Sequence, residues 1–238
     1  MRNVNRIKDI IEFYELLDRV KSSLPGEQLL SNLNSIDNIL GRGVYFFFES
    51  GEFRSESGFA QRVVRVGTHG LRKGSVSTLR NRLKQHRGNV KGKFPGSGNH
   101  RGSIFRKHIG YALINKNQYP KKICKYWGIG QNAPITIRIL ETPIEVAVSQ
   151  YIRSMPFIWI EINDPAGPDS LRGYVERNSI ALLSNCVKPK IDKPSKNWLG
   201  IYTNNPAMIE SGLWNINHVY DDYDAGFIEK LKSMIKVN

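Results

Sequence analysis

The chain has 238 residues, of which 35 are Lys or Arg and 21 are Asp or Glu, giving a formal net charge of +14. Hydrophobic residues make up 40% of it, enough for a folded core, and the length suits one domain with attachments or two small domains. No stretch approaches the ~18 apolar residues that cross a membrane, and the first ten residues lack the apolar centre of a signal peptide. Only two cysteines occur, which excludes a disulfide framework and favours a reducing, cytoplasmic location.

The positive charge is concentrated in one stretch, residues 57–140, which we call the basic segment. It contains no Asp or Glu, 18 Lys or Arg and four of the five His, whereas the rest of the chain has 17 basic and 21 acidic residues. Like charges at this density repel one another unless an anion neutralises them, so a polyanionic partner is predicted. Nucleic acid is favoured over an anionic membrane, because a membrane-binding stretch would form a basic amphipathic helix with an aromatic edge.

The first forty residues carry a helical pattern. Apolar residues recur at helical spacing over 5–24 and again over 29–39, with a Pro-Gly break between, which predicts an N-terminal helical hairpin. Two strands follow at 43–49 and 61–67, joined by a glycine-containing loop as in an antiparallel pair.

The remaining chain mixes helices and strands without regular alternation, which predicts an α+β fold. The next element is a helix over 78–87, with Ser77 or Thr78 as its N-cap and Gly88 as its stop. In chain order, the later predictions are a helix at 103–114, a strand at 135–141, a helix at 143–153, an apolar strand at 157–163, a helix at 170–183 capped by Asp169 or Ser170, and a C-terminal helix.

Arg82 and His86 are four residues apart on the helix over 78–87, so their side chains are neighbours one turn apart. They border the apolar stripe of Leu79 and Leu83, where a side chain can be half buried beside a sheet. Arginine offers a planar, permanently charged fork to phosphate oxygens, and histidine exchanges a proton near neutral pH. The pair therefore suits a phosphodiester, although an ordinary basic helix with a hydrogen-bonded histidine has the same pattern.

Two short strand motifs precede this helix, namely Gly43-Val44-Tyr45 and Val64-Arg65-Val66-Gly67. Together with the Arg82…His86 helix they resemble the GIY-YIG nuclease family, in which a G-[IV]-Y strand, a Y-[IV]-G strand and an R-x-x-x-H helix build one active site. The resemblance covers residues 41–88 and 157–185. It implies a small antiparallel sheet flanked by helices.

One position departs from the family pattern, because Arg65 stands in the place of the second tyrosine. His69, two residues beyond Gly67, could take over part of the missing role. Alternatively, Arg65 contacts phosphate, and the sequence leaves both interpretations open.

The family also places a metal-binding glutamate on a helix after the third strand, and two residues qualify. Glu176 follows the strand at 157–163 and a turn, whereas Glu145 follows the stretch at 135–141 after a shorter connection. We favour Glu176 on the strand–turn–helix match. Asn185 would then stand for the asparagine that the family often has downstream of its glutamate.

With Glu176 as the ligand, three regions are predicted: a helical hairpin at 1–40, a GIY-YIG-like nuclease core at 41–188 with a basic insertion at 88–153, and a C-terminal irregular segment with a terminal helix at 189–238, packed on the core. Basic residues in and around the insertion are the candidates for nucleic-acid binding. They are Arg65, Lys84, Arg87, Arg101, Arg106, Lys107, Lys121 and Lys122.

The resemblance also implies a mechanism in which Tyr45 is the general base that activates water. A free tyrosine has a pKa of ~10, and neighbouring cations favour its phenolate. Arg82 would stabilise charge on the scissile phosphate, His86 would orient the water or relay its proton, and Mg²⁺ or Mn²⁺ on Glu176 would stabilise the leaving oxygen. Tyr45 could instead be a packing residue, since aromatic side chains are common in strands.

The predicted function is therefore a metal-dependent endonuclease that cuts double-stranded DNA. A role in restriction or genome defence would suit it, and a role in repair or in a mobile element is also open. One alternative is a catalytically inactive nucleic-acid-binding module, which Arg65 favours, and another is an RNA-directed nuclease. A palindromic target would imply a two-fold homodimer. No membrane partner is expected.

Overall fold

A small antiparallel sheet forms the centre of the molecule, whose computed structural model describes residues 2–37, 39 and 41–235. In this part of the chain the sheet has the strand order β2-β1-β3, with β1 at Gly43–Phe53, β2 at Gln61–Gly67 and β3 at Phe157–Glu161. The helices are α1 (Arg2–Ser22), α2 (Leu79–Arg87), α3 (Ile104–Asn117), α4 (Lys121–Cys124), α5 (Ile135–Arg153), α6 (Leu171–Leu183), α7 (Pro206–Ser211) and α8 (Phe227–Met234). The predicted α+β class with a small antiparallel sheet is confirmed.

The register of the sheet decides which side chains share a face. Tyr45 on β1 lies opposite Gly67 on β2, and Phe47 lies opposite Arg65. The next residue of β1, Phe48, pairs with Val63, so Val64 is the extra residue of a β-bulge. Because directly opposed residues point to the same side, Arg65 lies on the same face as Tyr45.

The two faces of the sheet have different neighbours. One face, with Val44 and Phe46, packs against apolar residues of α1, α6 and α8. The other face, with Tyr45 and Phe47, packs against α2, α3, α5 and the tryptophans of the C-terminal segment. None of the helices in the described ranges has the length and apolar content to cross a bilayer.

The ends of α2 and α6 follow the sequence signals. Thr78 accepts a hydrogen bond from the Asn81 N–H at the start of α2, and Gly88 ends this helix with a φ of 77°. Ser170 accepts from the Gly173 N–H at the start of α6. Both helices that carry candidate site residues therefore begin at their predicted caps.

The predicted strand at 135–141 is wrong, because this stretch is the first half of α5. The alternating apolar residues do not form a buried face, since Ile135 and Ile139 are exposed. The buried positions of α5 recur at spacings of three and four residues, which is the period of a helix. They are Glu141, Ile144, Glu145, Val148, Ser149 and Ile152.

The second arm of the predicted hairpin is also different, because it forms a short 3₁₀ helix at Leu30–Ser35 rather than an α-helix. Leu30, Leu33 and Ile36 are buried and spaced three apart, which matches the three residues per turn of a 3₁₀ helix. Asn38 and Leu40, at the end of the predicted arm, lie outside the described residues.

The C-terminal segment covers the outer edge of β2. The Trp214 N–H donates to the Val64 carbonyl at 2.7 Å, and the side chain of Asn215 bonds both the N–H and the carbonyl of Val66 at 3.1 and 2.9 Å. An uncovered strand edge would present these groups unpaired. The segment therefore completes the sheet beside Arg65.

Candidate active site

Tyr45 and His86 form a buried hydrogen-bonded pair at the start of β1. The Tyr45 hydroxyl lies 2.8 Å from His86 Nε2, and neither residue has exposed surface. A Cβ on Gly67 would lie 2.2 Å from the Tyr45 oxygen, so only glycine fits opposite the tyrosine. The glycine of the second strand motif thus makes room for the tyrosine of the first.

His86 reaches this position from α2, which buries Leu79 and Leu83 on the same side. Its Nδ1 lies 3.0 Å from the Ser103 hydroxyl. Burial lowers the pKa of His86 well below 6.5, and the charges of Arg82, Arg65 and Arg106 lower it further. The imidazole is therefore neutral at neutral pH.

An open cleft of about 540 Å³ begins at Thr68, the residue that follows Gly67. It is lined by the loop that follows β2, by one side of α2 and by α6, and therefore brings together three residues predicted from distant parts of the sequence. These are His69, Arg82 and Glu176.

Glu176 is the carboxylate of the cleft. Its Oε1 accepts the Thr68 N–H at 3.2 Å, and Thr68 is held by its own hydroxyl, which donates to the Gly43 carbonyl at 2.8 Å. Burial raises the pKa of Glu176 above 4.5, although Arg65, the Thr68 N–H, His218 and Arg82 act in the opposite direction. The carboxylate is thus only partly compensated by its surroundings.

Arg82 carries a positive charge into the same cleft and is held by neutral groups. Its Nη1 donates to the Gln85 side chain at 2.9 Å and to the Gly102 carbonyl at 3.3 Å. The ion pairs found among the described residues do not include Arg82. Its guanidinium can therefore exchange these acceptors for an anion.

His69 is buried and lines the cleft beside Arg72. Burial lowers its pKa to about 4, the charge of Arg172 acts in the same direction, and the Ser77 backbone opposes them. The His69 ring is therefore neutral at neutral pH, and its backbone carbonyl accepts a hydrogen bond from Arg172 at 2.6 Å.

Arg65 lies in the interior beside the Tyr45–His86 pair. Its Nη1 donates to the Trp214 carbonyl, and its guanidinium lies 5.5 Å from the centre of the Phe105 ring. Only 8% of the residue is exposed. Because it is buried, Arg65 does not belong to an outer DNA-binding surface in this conformation. Its positive charge acts on the neighbouring side chains instead.

Glu145, the other glutamate that qualified, lies outside the cleft. It accepts the backbone N–H of His100 at 2.6 Å and the ring Nδ1 at 2.9 Å, and it forms an ion pair with Arg106. Burial alone would raise its pKa, but the His100 hydrogen bond and the Arg106 charge outweigh burial and lower it. Glu145 is therefore part of a satisfied internal network.

The predicted nucleic-acid contacts divide into buried and exposed groups. Arg106 is fully buried, Arg101 forms a two-bond ion pair with Glu141 at 2.6 and 2.7 Å, and Arg87 is mostly buried and donates to Asn34. These arginines hold the fold together in this structure. Lys84, Lys121 and Lys122 are exposed and Lys107 is partly so.

Two further polar residues have places that sequence patterns did not predict. Asn185 bonds the backbone of Ile191 in a turn instead of facing the cleft. Ser103 contacts His86 and caps α3, whereas the sequence pattern places it only as the first residue of the predicted helix at 103–114. Contacts of this kind depend on tertiary packing and leave no local pattern.

The donor groups of the cleft fit a hard divalent cation such as Mg²⁺ or Mn²⁺. Such ions bind to one or two carboxylates and take water and phosphate oxygens as their other ligands. Glu176 has one oxygen on the Thr68 N–H, and its hydrogen bonds in the described chain leave the second oxygen uncommitted. The described residues contain no group of three or more His, Cys, Asp or Glu that could hold a metal ion.

A family model described as the GIY-YIG domain matches residues 4–238. No curated protein and no solved structure matches the chain.

Proposed function

The chain belongs to the GIY-YIG nuclease family, and from that premise we propose that it is a metal-dependent endonuclease that hydrolyses phosphodiester bonds in double-stranded DNA. The observation that carries the proposal is the cleft that Arg82 and Glu176 both line, with Arg82 one helical turn before His86 of the buried Tyr45–His86 pair. A cation and a carboxylate without ion-pair partners in one cleft suit a phosphate and a metal ion, respectively.

A nucleic-acid substrate is supported by charge. The residues from Ser57 to Leu140 provide no carboxylate, and exposed lysines such as Lys84, Lys121 and Lys122 lie within this stretch. Lysines without acidic neighbours in the sequence bind phosphates by releasing counterions, whatever the base sequence. They would hold a duplex while the cleft acts on one phosphodiester.

Arg82 would bind the non-bridging oxygens of the scissile phosphate. Charge-assisted hydrogen bonds to phosphate are roughly twice as strong as those to neutral acceptors, so the guanidinium would leave the Gly102 carbonyl when the substrate arrives. Glu176 would hold Mg²⁺ or Mn²⁺ through its uncommitted oxygen. When bound, the ion supplies stabilisation of the negative charge on the leaving oxygen.

Tyr45 would act as the base, with His86 behind it. The water proton would move to the Tyr45 oxygen while the Tyr45 proton moves to His86 Nε2. The negative charge of the phosphate offsets the cost of forming an imidazolium among arginines. Tyr45 has no exposed surface in the free protein, so this step requires substrate binding to move a neighbouring side chain.

Plasmid cleavage in Mg²⁺ under single-turnover conditions tests the proposal. We expect R82A and E176A each to lose about a hundredfold or more in rate, as when transition-state charge loses a partner. Lys232, exposed on α8 beyond the opposite face of the sheet, provides the control K232Q, which should cut normally. Wild-type rates for both R82A and E176A would overturn the site assignment.

A second function, nucleic-acid binding without cleavage, is favoured by Arg65 in place of the second tyrosine. Such a protein would shift DNA in a gel but produce no nicks at any metal concentration. Competition between duplex DNA and structured RNA at one stated salt concentration separates DNA from RNA as the substrate. Restriction or genome defence is the biological role that we propose for the DNA-cutting form, and reduced plating of phage on cells that express it would support this role.

A further inference from the structure

We propose that Ser103, at the start of α3, is a positioning residue of this active site, because it determines which ring nitrogen of His86 carries the proton. Its effect on cleavage rests on the proposed nuclease function, whereas its effect on the imidazole does not. Ser103 belongs to the basic segment, so this segment would serve catalysis as well as DNA binding.

His86 is enclosed between two hydroxyl groups. Nε2 lies 2.8 Å from the Tyr45 hydroxyl and Nδ1 lies 3.0 Å from the Ser103 hydroxyl. A neutral imidazole has one N–H and one acceptor nitrogen, so two arrangements satisfy both contacts. In the first, Tyr45 donates to Nε2 and Nδ1–H donates to Ser103. In the second, Ser103 donates to Nδ1 and Nε2–H donates to Tyr45.

The first arrangement is favoured by the chemistry of the two hydroxyls. A phenol is more acidic than an alkyl hydroxyl and is therefore the better donor, whereas the serine oxygen is the better acceptor. Ser103 already accepts the Arg106 N–H at 3.3 Å, and its second lone pair remains for Nδ1–H. Ser103 would thus keep the lone pair of Nε2 directed at Tyr45.

Only this arrangement lets Tyr45 pass its proton to His86. After the transfer, the imidazolium has two N–H groups. Nε2–H donates to the Tyr45 oxygen, and Ser103 supplies the acceptor for Nδ1–H. The charged groups facing His86 offer no substitute, since they are Arg65 from β2, Arg106 from α3 and Arg82 from its own helix. The aromatic rings of Phe47 and Phe105 cover the remaining sides.

Ser103 is held firmly enough to play this part. It is 1% exposed, and the start of α3 is fixed to α2 by the Arg106 guanidinium, which donates to the His86 carbonyl at 2.8 Å.

The direct test is two-bond ¹⁵N–¹H NMR of the histidine rings in the full-length protein, without DNA or metal, using H86N to assign the signal. We expect wild type and S103T to show Nδ1–H at His86, and S103A to show Nε2–H, because Nδ1–H has lost its acceptor. The same tautomer in wild type and S103A would overturn the proposal.

A helix-cap control separates this effect from loss of stability. Asn205 caps α7 through the Met208 N–H at 3.2 Å, so N205A and S103A should show comparable drops in melting temperature. Only S103A should change the His86 signals, and a change of the same kind in N205A would contradict a specific role.

Single-turnover cleavage at saturating DNA completes the test. We expect S103A to be about tenfold to hundredfold slower, as is typical when a residue that orients a catalytic group is removed, and S103T to stay within about threefold of wild type. If S103A cuts normally while its tautomer changes, the link to catalysis is wrong. If wild type cuts no DNA, the nuclease proposal fails, and the NMR result still decides the role of Ser103.

Discussion

Two glutamates on helices, Glu145 and Glu176, show how the interior of this molecule differs from its cleft. Glu145 is enclosed by His100 and Arg106, which lower its pKa against the effect of burial. Glu176 receives the Thr68 N–H and otherwise faces more distant cations, so burial prevails and its pKa is raised. The protein itself compensates the charge of the first carboxylate, whereas it compensates that of the second only in part.

The arginines divide in the same way. Arg101 and Arg106 form ion pairs with glutamates of α5, although they lie in the segment that contains no acid of its own. Arg82 and Arg65 have neutral partners. Local sequence cannot distinguish these groups, because the acids that neutralise two of them come from a later helix. Unpaired charge near a cleft, rather than charge as such, marks the candidate site.

The largest expected effect comes from breaking the internal network. E145A leaves Arg106 buried without its carboxylate, and we expect a loss of about 3–5 kcal/mol in the free energy of unfolding, the usual cost of a buried ion pair that loses one partner. Urea unfolding measures it. The control is E15A, at an exposed position of α1, which should stay within about 0.5 kcal/mol. Equal stability of E145A and wild type would contradict the structural role of Glu145.

The opposite result is expected for the carboxylate of the cleft. E176Q should cut about a thousandfold more slowly, because the metal loses its protein ligand, yet its melting temperature should rise by about 1–3 °C at neutral pH. The melting temperature should rise because the pKa of Glu176 is raised in the folded protein, so that ionisation of this carboxyl opposes folding above pH 4.5. The amide of glutamine does not ionise and removes this destabilisation. A fall of several degrees would show that Glu176 is structural.

Two histidines, His69 in the cleft and His108 outside it, should make the stability of the protein depend on pH. The pKa of His69 and that of His108 are lowered to about 4, chiefly by burial, whereas both return near 6.5 on unfolding. Unfolded chains therefore bind more protons between these values, and the free energy of unfolding should fall as pH drops from about 6.5 to about 4.

In equilibrium unfolding at several pH values, H69N and H108N should each reduce that fall. Only H69N should also reduce cleavage, since His69 lines the cleft. A pH-independent stability over this range, or equal cleavage defects in both variants, would contradict the comparison.

The smallest effect is expected at the exposed lysines. The double variant K121Q/K122Q removes two phosphate contacts, so log Kd plotted against log salt should lose about 2 from its slope. Cleavage at saturating DNA should not change. The exposed Lys232 lies outside the basic segment and provides the matched control K232Q. An unchanged slope for the double variant would show that Lys121 and Lys122 do not contact the phosphates of the duplex.

Sequence patterns predicted the bounds of strands and helices correctly where local signals and burial agree. The second strand was predicted at 61–67 and occupies those residues, and α2 lies between the predicted caps Thr78 and Gly88. The cleft does contain His69, Arg82 and Glu176. His69 and Glu176 were candidates through the resemblance to the GIY-YIG family, and Arg82 also through its spacing from His86 on one helix.

The sequence patterns gave wrong predictions where contacts between distant parts of the chain determine the structure. The alternating residues at 135–141 suggested a strand, but the buried stripe of α5 begins only at Glu141. Arg106 was expected at the DNA surface and is in the interior, because Glu145 comes close only in the folded chain. The contact between Ser103 and His86 was missed for the same reason.

The covering of the β2 edge by Trp214 and Asn215 has a consequence for how the protein is made. The strand motifs and α2 are synthesised early, but Arg65 gains its carbonyl partner, and Val66 its amide partner, only when residues 214 and 215 exist. A nascent polypeptide therefore keeps an unpaired strand edge beside Arg65 until residues 214 and 215 have been synthesised.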